Sequence, residues 1–232
     1  MNTIGSRTAV AIKKRDLALR LMRDCGGSYV DAVLILCGVI SGLAAQVWQG
    51  GDRERFVEVL QEFGPKDTTR ISLPFLIRYL KKQQRDAERV KVETHFFDNP
   101  QCGSVDGDTV DKYEDEIIDV CESLSREELR ACSYANLLYK EIRSPYTHGY
   151  GAGSFVDSIP SQPYRAVTYT NWVAKPRSQE TIWRIYFNPQ WIGDVAVEVA
   201  KTLDKSTKTS KPSSPNGWWV DGGKMKTRIV YC

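Results

Sequence analysis

The sequence feature that most constrains the fold is a long apolar segment bounded by two glycine pairs. It begins after Gly26-Gly27, where Ser28 and Asp31 have the spacing of a helix N-terminal capping box, and it ends at Gly50-Gly51. Its apolar stretch, residues 32–47, is shorter than the roughly 20 residues that a bilayer-spanning helix needs. We therefore expect a buried central helix over residues 29–48, with small residues that allow a neighbouring helix to approach closely.

Composition and charge are those of an ordinary globular protein. The 232 residues are enough for one domain with a sizeable hydrophobic core, and a formal net charge of +3 neither requires nor excludes a nucleic acid partner. The six cysteines are scattered, without CxxC spacing, and the first residues are polar and charged. This pattern favours buried thiols in a reducing cytoplasm, with no membrane partner, no metal and no cofactor.

Apolar periodicity and capping residues predict further helices on both sides of the central one. The fold class is therefore mainly α, a helical bundle with a late β-hairpin near 166–187, a C-terminal helix and a short tail. We expect one domain over 1–205, with an irregular insertion near 90–108 that contains His95, and a linker and C-terminal tail over 206–232. The predicted helices cover 10–22, 53–63, 73–89, 110–123, 125–143 and 189–204.

The candidate active site is the sequence EIRSPYTHG, residues 141–149, at the predicted end of the helix over 125–143. Arg143 offers a planar set of donors for a phosphodiester, and His148 offers an imidazole that takes a proton near neutral pH. Pro145 predicts that the helix ends or distorts at Ser144, which allows the two side chains to meet.

Several neighbouring residues are candidates for substrate binding. Tyr146 and Tyr150 would stack on bases or line the turn, and Ser144 would orient His148 or cap the helix. No GxGxxG, P-loop, HExxH or GxSxG motif occurs in the chain, so function depends on the Arg143 and His148 pair.

The segment LYKEIRSPYTHG, with Arg143 five residues before His148 near the end of a core helix, resembles the signature of the HEPN family. The resemblance implies a helical bundle in which Arg143 and His148 are catalytic. It also implies a metal-independent endoribonuclease that forms a homodimer, cleaves RNA by 2′-hydroxyl attack and leaves 2′,3′-cyclic phosphate ends. Many such proteins act in toxin–antitoxin or antiphage systems, so an antitoxin or another protein partner is expected beside RNA.

Two alternatives remain open at this point. Active members commonly have Asn, Asp or His after the arginine, whereas this chain has Ser144, and some members bind RNA, a nucleotide or a protein without turnover. In the second alternative the pair is purely structural: Arg143 would pair with an acidic residue such as Glu141 or Asp157, and His148 would hydrogen-bond the glycine-rich turn.

Overall fold

The structure is a computed structural model that describes residues 6–97, 103–149, 153, 155–157, 165–171, 182–206, 219–221 and 224–226. Its elements in chain order are α1 (Arg7–Asp24), α2 (Tyr29–Val47), α3 (Asp52–Phe63), α4 (Leu73–Lys82), α5 (Asp86–Phe96), β1 (Gly103–Asp106), α6 (Gly107–Val110), α7 (Glu114–Val120), α8 (Arg126–Arg130), α9 (Tyr134–Leu137), a π-helical segment (Leu138–Arg143), α10 (Ser144–Gly149), β2 (Val167–Asn171), β3 (Arg184–Phe187), α11 (Pro189–Lys205), β4 (Trp219–Asp221) and β5 (Lys224–Lys226), with a 3-10 turn at Lys66–Thr69.

The protein is mainly helical, as the sequence predicts, and α2 lies at the centre of the bundle. Helices α1, α3 and α11 all pack against α2, whose inward face is fully buried at Val33, Leu36 and Ile40. The capping box predicted at its start is present, because the Ser28 side chain accepts from the Asp31 N–H and Asp31 accepts from the Ser28 N–H. A buried core helix over this run is therefore confirmed.

The outer face of α2 differs from the prediction of close helix approach. Gly38 and Gly42 are solvent-exposed, and a Cβ at either position would meet nothing within 4 Å, so no described helix packs on them. Within the described residues α2 is the one helix long and apolar enough, by length and composition, to cross a membrane, and 39% of that window is buried inside the protein.

The single helix predicted over 73–89 is wrong, because α4 and α5 are separate helices. Residues Gln83 and Gln84 form a turn between them, and Gln84 has the left-handed backbone conformation, φ +58°. The sequence around this turn is polar on all sides, so burial does not favour a continuous helix there. Helix α5 then runs through Phe96, so His95 lies in a helix and the predicted irregular insertion begins later than residue 90.

A three-stranded antiparallel sheet in the order β1-β2-β3 covers one side of the bundle. Strands β2 and β3 pair with Val167 opposite Phe187, which confirms the predicted hairpin; its connecting residues, 172–181, lie outside the described part of the chain. Strand β1 was not predicted; it pairs with β2 and places Gly103 opposite Asn171.

The C-terminal part contains the predicted helix and a further pair of strands. Asn188 caps α11 through the Gln190 N–H, and Pro189 occupies the first helical position, as expected. Strands β4 and β5 pair antiparallel within the predicted tail, whereas the terminal residues 227–232 lie outside the described residues.

Candidate functional site

The candidate site forms around a π-helical segment, which is a distortion of the helix before Pro145 and not an end of it. The helix predicted over 125–143 is interrupted after α8, restarts at the Ser133 cap and continues through α9, the π-helical segment and α10 to Gly149. The Ser144 N–H donates to the Tyr139 carbonyl five residues earlier, which is the π-helical pattern. The chain therefore distorts before Pro145 but remains helical.

Proline explains this distortion. Pro145 has no N–H to donate to the Glu141 carbonyl, which is its partner in an α-helix. That carbonyl instead accepts a hydrogen bond from the Gly153 N–H at 3.2 Å. π-Helical turns are rare, and a large share of them lie at functional sites. The segment that contains Arg143 is therefore a candidate functional segment.

Arg143 forms an ion pair with the carboxylate of Asp52, at 2.8 Å from its terminal nitrogen to Oδ2. The Tyr139 hydroxyl donates to the same oxygen at 3.2 Å, and the other carboxylate oxygen lies 3.9 Å from Arg55. We call these four residues, Asp52, Arg55, Tyr139 and Arg143, the Asp52 cluster. It carries two positive charges and one negative charge, so it has a net charge of +1.

The cluster is partly open to solvent. The side chains of Arg143, Arg55 and Asp52 are 18%, 23% and 33% exposed. One terminal nitrogen of Arg143 contacts Asp52, so other guanidinium N–H groups remain available, and the Arg55 Nε is buried without a hydrogen-bond partner within the described part of the chain. A ligand with several acceptor oxygens would satisfy the available N–H groups of Arg143, whereas the buried Arg55 Nε lies out of its reach.

Burial and the charges of Asp52 and Arg143 act on the titratable groups around the cluster. Burial raises the pKa of Tyr139, and the negative charge of Asp52 raises it further, whereas Arg143 lowers it. Burial also raises the pKa of Cys37 to about 12, although the positive charge of Arg143 opposes that shift. Cys37 is therefore a protonated, unreactive thiol at neutral pH.

The structure does not bring His148 to Arg143 within one chain. His148 is exposed in the last turn of α10, and residues five apart on an α-helix differ by about 140° around the axis and roughly 7.5 Å along it. The two side chains therefore lie on different faces of a continuous helix. The expectation that a helix end at Ser144 allows them to meet is wrong for a single chain.

The other predicted binding residues also differ in their environments. Tyr146 is 2% exposed and its ring packs edge-on against Tyr29, at 6.3 Å between centroids, so it is a core residue and not a platform for bases. Ser144 is half-buried in the helix, which continues through it instead of being capped by it. Tyr150 lies outside the described residues.

Arg143 forms an ion pair with an acidic residue, as the purely structural alternative predicts, but that residue is neither of the two named examples. Arg143 pairs with Asp52, whereas Glu141 pairs with Lys140 at 3.6 Å and Asp157 accepts from the Thr170 hydroxyl. Asp52 is the first residue of α3, directly after the N-cap residue Gly51, so its carboxylate lies at the start of the helix that packs beside the π-helical segment. The charge pattern DRER at residues 52–55 was the available signal for this cluster.

A second polar cluster, which sequence reasoning missed, is completely buried. Asp111 accepts from the Tyr134 and Tyr169 hydroxyls at 2.5 Å each and from the Leu73 N–H at 2.9 Å. Burial raises the pKa of Asp111 to about 7, although these three hydrogen bonds oppose the shift. Because the carboxyl is 1% exposed, this cluster joins elements of the fold and does not face a ligand.

The described residues were compared with the requirements of a metal site and of a disulfide. No group of three or more His, Cys, Asp or Glu side chains there could hold a metal ion. Of the cysteines in that part of the chain, Cys37, Cys121 and Cys132 are buried and free as predicted, whereas Cys25 is exposed.

Comparison with protein-family models, with curated proteins and with solved structures finds no match to this chain.

Proposed function

We propose that this protein binds RNA through backbone phosphates at the Asp52 cluster. The observation that carries the proposal is that Arg55 and Arg143 share one carboxylate at a partly exposed surface, which leaves guanidinium donors and a net positive charge for an anionic ligand. Arginine matches the geometry of phosphate oxygens better than lysine does. The HEPN-like segment that contains Arg143 supports RNA as the anion.

A metal-independent endoribonuclease is the second candidate function. His148 supports it, because this imidazole is exposed on the same helix as Arg143 and is free to approach another molecule. In the proposed reaction the imidazole removes the 2′-hydroxyl proton, the 2′-oxygen attacks the adjacent phosphorus, and the 5′-oxygen leaves. Since one chain keeps the two side chains on different faces, a homodimer would have to supply His148 from the second copy.

The biological setting follows from the same resemblance. Homodimerisation, an antitoxin or other protein partner, and a role in toxin–antitoxin or antiphage systems belong to this proposal. A cytoplasmic location also belongs to it. The buried free thiols of Cys37, Cys121 and Cys132 support that location, because free cysteines persist in a reducing compartment.

RNA binding by the Arg143→Gln variant tests the proposal. A fluorescent single-stranded RNA with a 5′-hydroxyl end is titrated with protein in EDTA, and binding is followed by anisotropy. We expect Arg143→Gln to weaken binding roughly tenfold, equivalent to about 1.4 kcal/mol, because one charge-assisted phosphate contact is lost. Arg20→Gln removes the same charge from an exposed position on α1 and should leave the affinity unchanged.

The same samples distinguish the two candidate functions after incubation. Intact RNA together with Arg143-dependent binding supports the binding protein. Products with 2′,3′-cyclic phosphate ends that disappear in both Arg143→Gln and His148→Ala support the ribonuclease. Absence of RNA binding by the wild-type protein, or equal affinity in Arg143→Gln, would contradict a role for the Asp52 cluster.

A further inference from the structure

A separate cavity lies between α4 and the helix that contains the π-helical segment. It has a volume of about 100 Å³, room for a few water molecules or one tetrahedral oxyanion. Three cationic side chains line it: Arg78 and Lys82 from α4, and Lys140 from the π-helical segment. Neither Arg78 nor Lys82 belongs to a site described above.

The charge on the cavity wall is unbalanced. Glu141 is the one carboxylate among the lining residues, and Lys140 already lies 3.6 Å from it. Within the described part of the chain neither Arg78 nor Lys82 forms an ion pair with a carboxylate. The three cations and one anion therefore leave a net charge of +2 around a small volume, which favours an anionic occupant.

Aromatic rings hold the Arg78 guanidinium at this cavity. It lies over the Phe155 ring, 3.0 Å from the centroid, and 5.9 Å from the centroid of Phe75. A ring covers the flat face of a guanidinium, whereas its N–H groups lie in the plane and point outward from the edge. Arg78 can therefore remain stacked while its edge donates two parallel hydrogen bonds to an oxyanion.

The rest of the lining includes both polar and apolar groups. Gln83 and Asn136 add amide groups, whereas Phe75, Leu137 and Cys132 contribute apolar surface. Burial raises the pKa of Cys132 to about 12, so this thiol stays neutral and does not repel an anion. A compact, multiply charged oxyanion suits the cationic and amide groups, and a small organic group attached to it suits the apolar surface.

We propose that this cavity binds the phosphoryl group of a small phosphate monoester, through the Arg78 edge and the ammonium groups of Lys82 and Lys140. The inference does not depend on the proposed RNA function. Its key side chains lie on α4, whereas the Asp52 cluster is formed by α3 and by Tyr139 and Arg143. A 5′-phosphorylated RNA end carries the same phosphoryl group. The competition experiment below distinguishes an RNA end from a free monoester.

Calorimetric titration with inorganic phosphate and with adenosine monophosphate tests the proposal, in chloride buffer without sulfate. We expect both to bind wild-type protein, and we expect the double variant Arg78→Gln, Lys82→Gln to weaken binding at least tenfold. Lys13→Gln and Arg20→Gln, combined on α1, remove the same charge away from the cavity and should bind as wild type. Lys82→Gln with Lys140→Gln provides a second test, because both side chains are exposed and Arg78 keeps its packing against Phe155.

Thermal unfolding must first show that each variant is folded. Absence of phosphate binding by wild type, or equal affinity in both pairs of cavity variants, would overturn the proposal. Competition by a 5′-phosphorylated oligonucleotide but not by its 5′-hydroxyl form assigns the phosphoryl group to an RNA end, and the lack of competition assigns it to a free monoester. The RNA assay at Arg143 uses a 5′-hydroxyl oligonucleotide, which has no terminal phosphoryl group for the cavity to bind. A failure of one proposal therefore leaves the result of the other unaffected.

Discussion

At the scale of single residues, Asp111 illustrates how a buried carboxyl can organise several elements. Its two oxygens accept from the α4 backbone at Leu73 and from the hydroxyls of Tyr134 in α9 and Tyr169 in β2. A Cβ at Gly107 would collide with the Tyr134 hydroxyl, so the chain comes too close there for any larger residue. These contacts attach the sheet to the helices through one side chain.

We predict that Asp111 makes the protein less stable as pH rises from about 4 to 7. The pKa of its carboxyl is about 7 in the folded state and near 3.8 when exposed, so only the folded chain holds this proton across that range. The stabilising contribution is complete below pH 4 and is lost as pH rises to 7, by roughly 4 kcal/mol at most. Denaturant unfolding of wild type and Asp111→Asn at pH 5, 6, 7 and 8 measures it.

Asp108→Asn is the matched control for this prediction, because Asp108 is exposed in the same stretch of chain. We expect it to keep the wild-type slope, whereas Asp111→Asn should flatten the dependence. The pKa values of Asp31 and Asp204 are lowered in the folded state. The stability that these two carboxylates contribute is therefore lost only below about pH 4, outside this window. An identical slope in wild type and Asp111→Asn would contradict the assignment.

At the scale of elements, the π-helical segment depends on Gly153 as well as on Pro145. A Cβ at Gly153 would lie 2.8 Å from the Glu141 carbonyl oxygen and 2.9 Å from its side-chain oxygen Oε2. The carbonyl that Pro145 leaves without a partner is therefore satisfied only if residue 153 has no side chain. This links the distorted helix to the segment that returns toward β3 at Val156 and Ile185.

We predict that Gly153→Ala destabilises the fold by about 1–3 kcal/mol, because the new methyl group must displace the Glu141 backbone. Gly149→Ala is the control, since a Cβ at that exposed helical position meets nothing within 4 Å. It should be neutral or stabilise by up to about 1 kcal/mol through helix propensity. Urea unfolding measures both, and a Gly153→Ala protein as stable as wild type would contradict the proposed contact.

Local signals predicted most of the elements, and failed where distant contacts decide the structure. The capping box at Ser28 is encoded within a few residues, and the structure confirms it. The capping box at Ser125 and the Asn188-Pro189 start of α11 are equally local. Pro145 correctly predicts a distortion at Ser144, but the helix does not end there, because the Gly153 N–H satisfies the Glu141 carbonyl that Pro145 leaves free. Strand β1 depends on its pairing with β2, about 65 residues later, which local periodicity does not report.

The candidate site was predictable to the same extent. Arg143 and His148 were found from residue type and spacing, whereas Asp52 was missed because its sequence context resembles an N-cap. Arg143 and Asp52 are separated by 91 positions and meet only when α3 packs beside the π-helical segment. Spacing alone could not reveal that a continuous helix would separate His148 from Arg143.

At the scale of the whole molecule, a helical bundle built on α2 presents two basic sites on one helix. Arg143 belongs to the Asp52 cluster beside α3, whereas Lys140 lines the cavity beside α4. The buried Tyr146 and the Gly153 contact hold the continuation of this helix in the fold. The central claim is that RNA phosphates contact Arg143 at the Asp52 cluster.

The salt dependence of RNA affinity tests that claim most directly. Each phosphate contact with single-stranded RNA contributes about −0.7 to the slope of log affinity against log salt concentration. We predict that Arg143→Gln and Arg55→Gln each make the slope shallower by roughly 0.7, whereas Arg20→Gln keeps the wild-type slope because its exposed side chain on α1 is outside the cluster. The same slope in wild type and Arg143→Gln would show that no phosphate contacts Arg143, and would contradict the account.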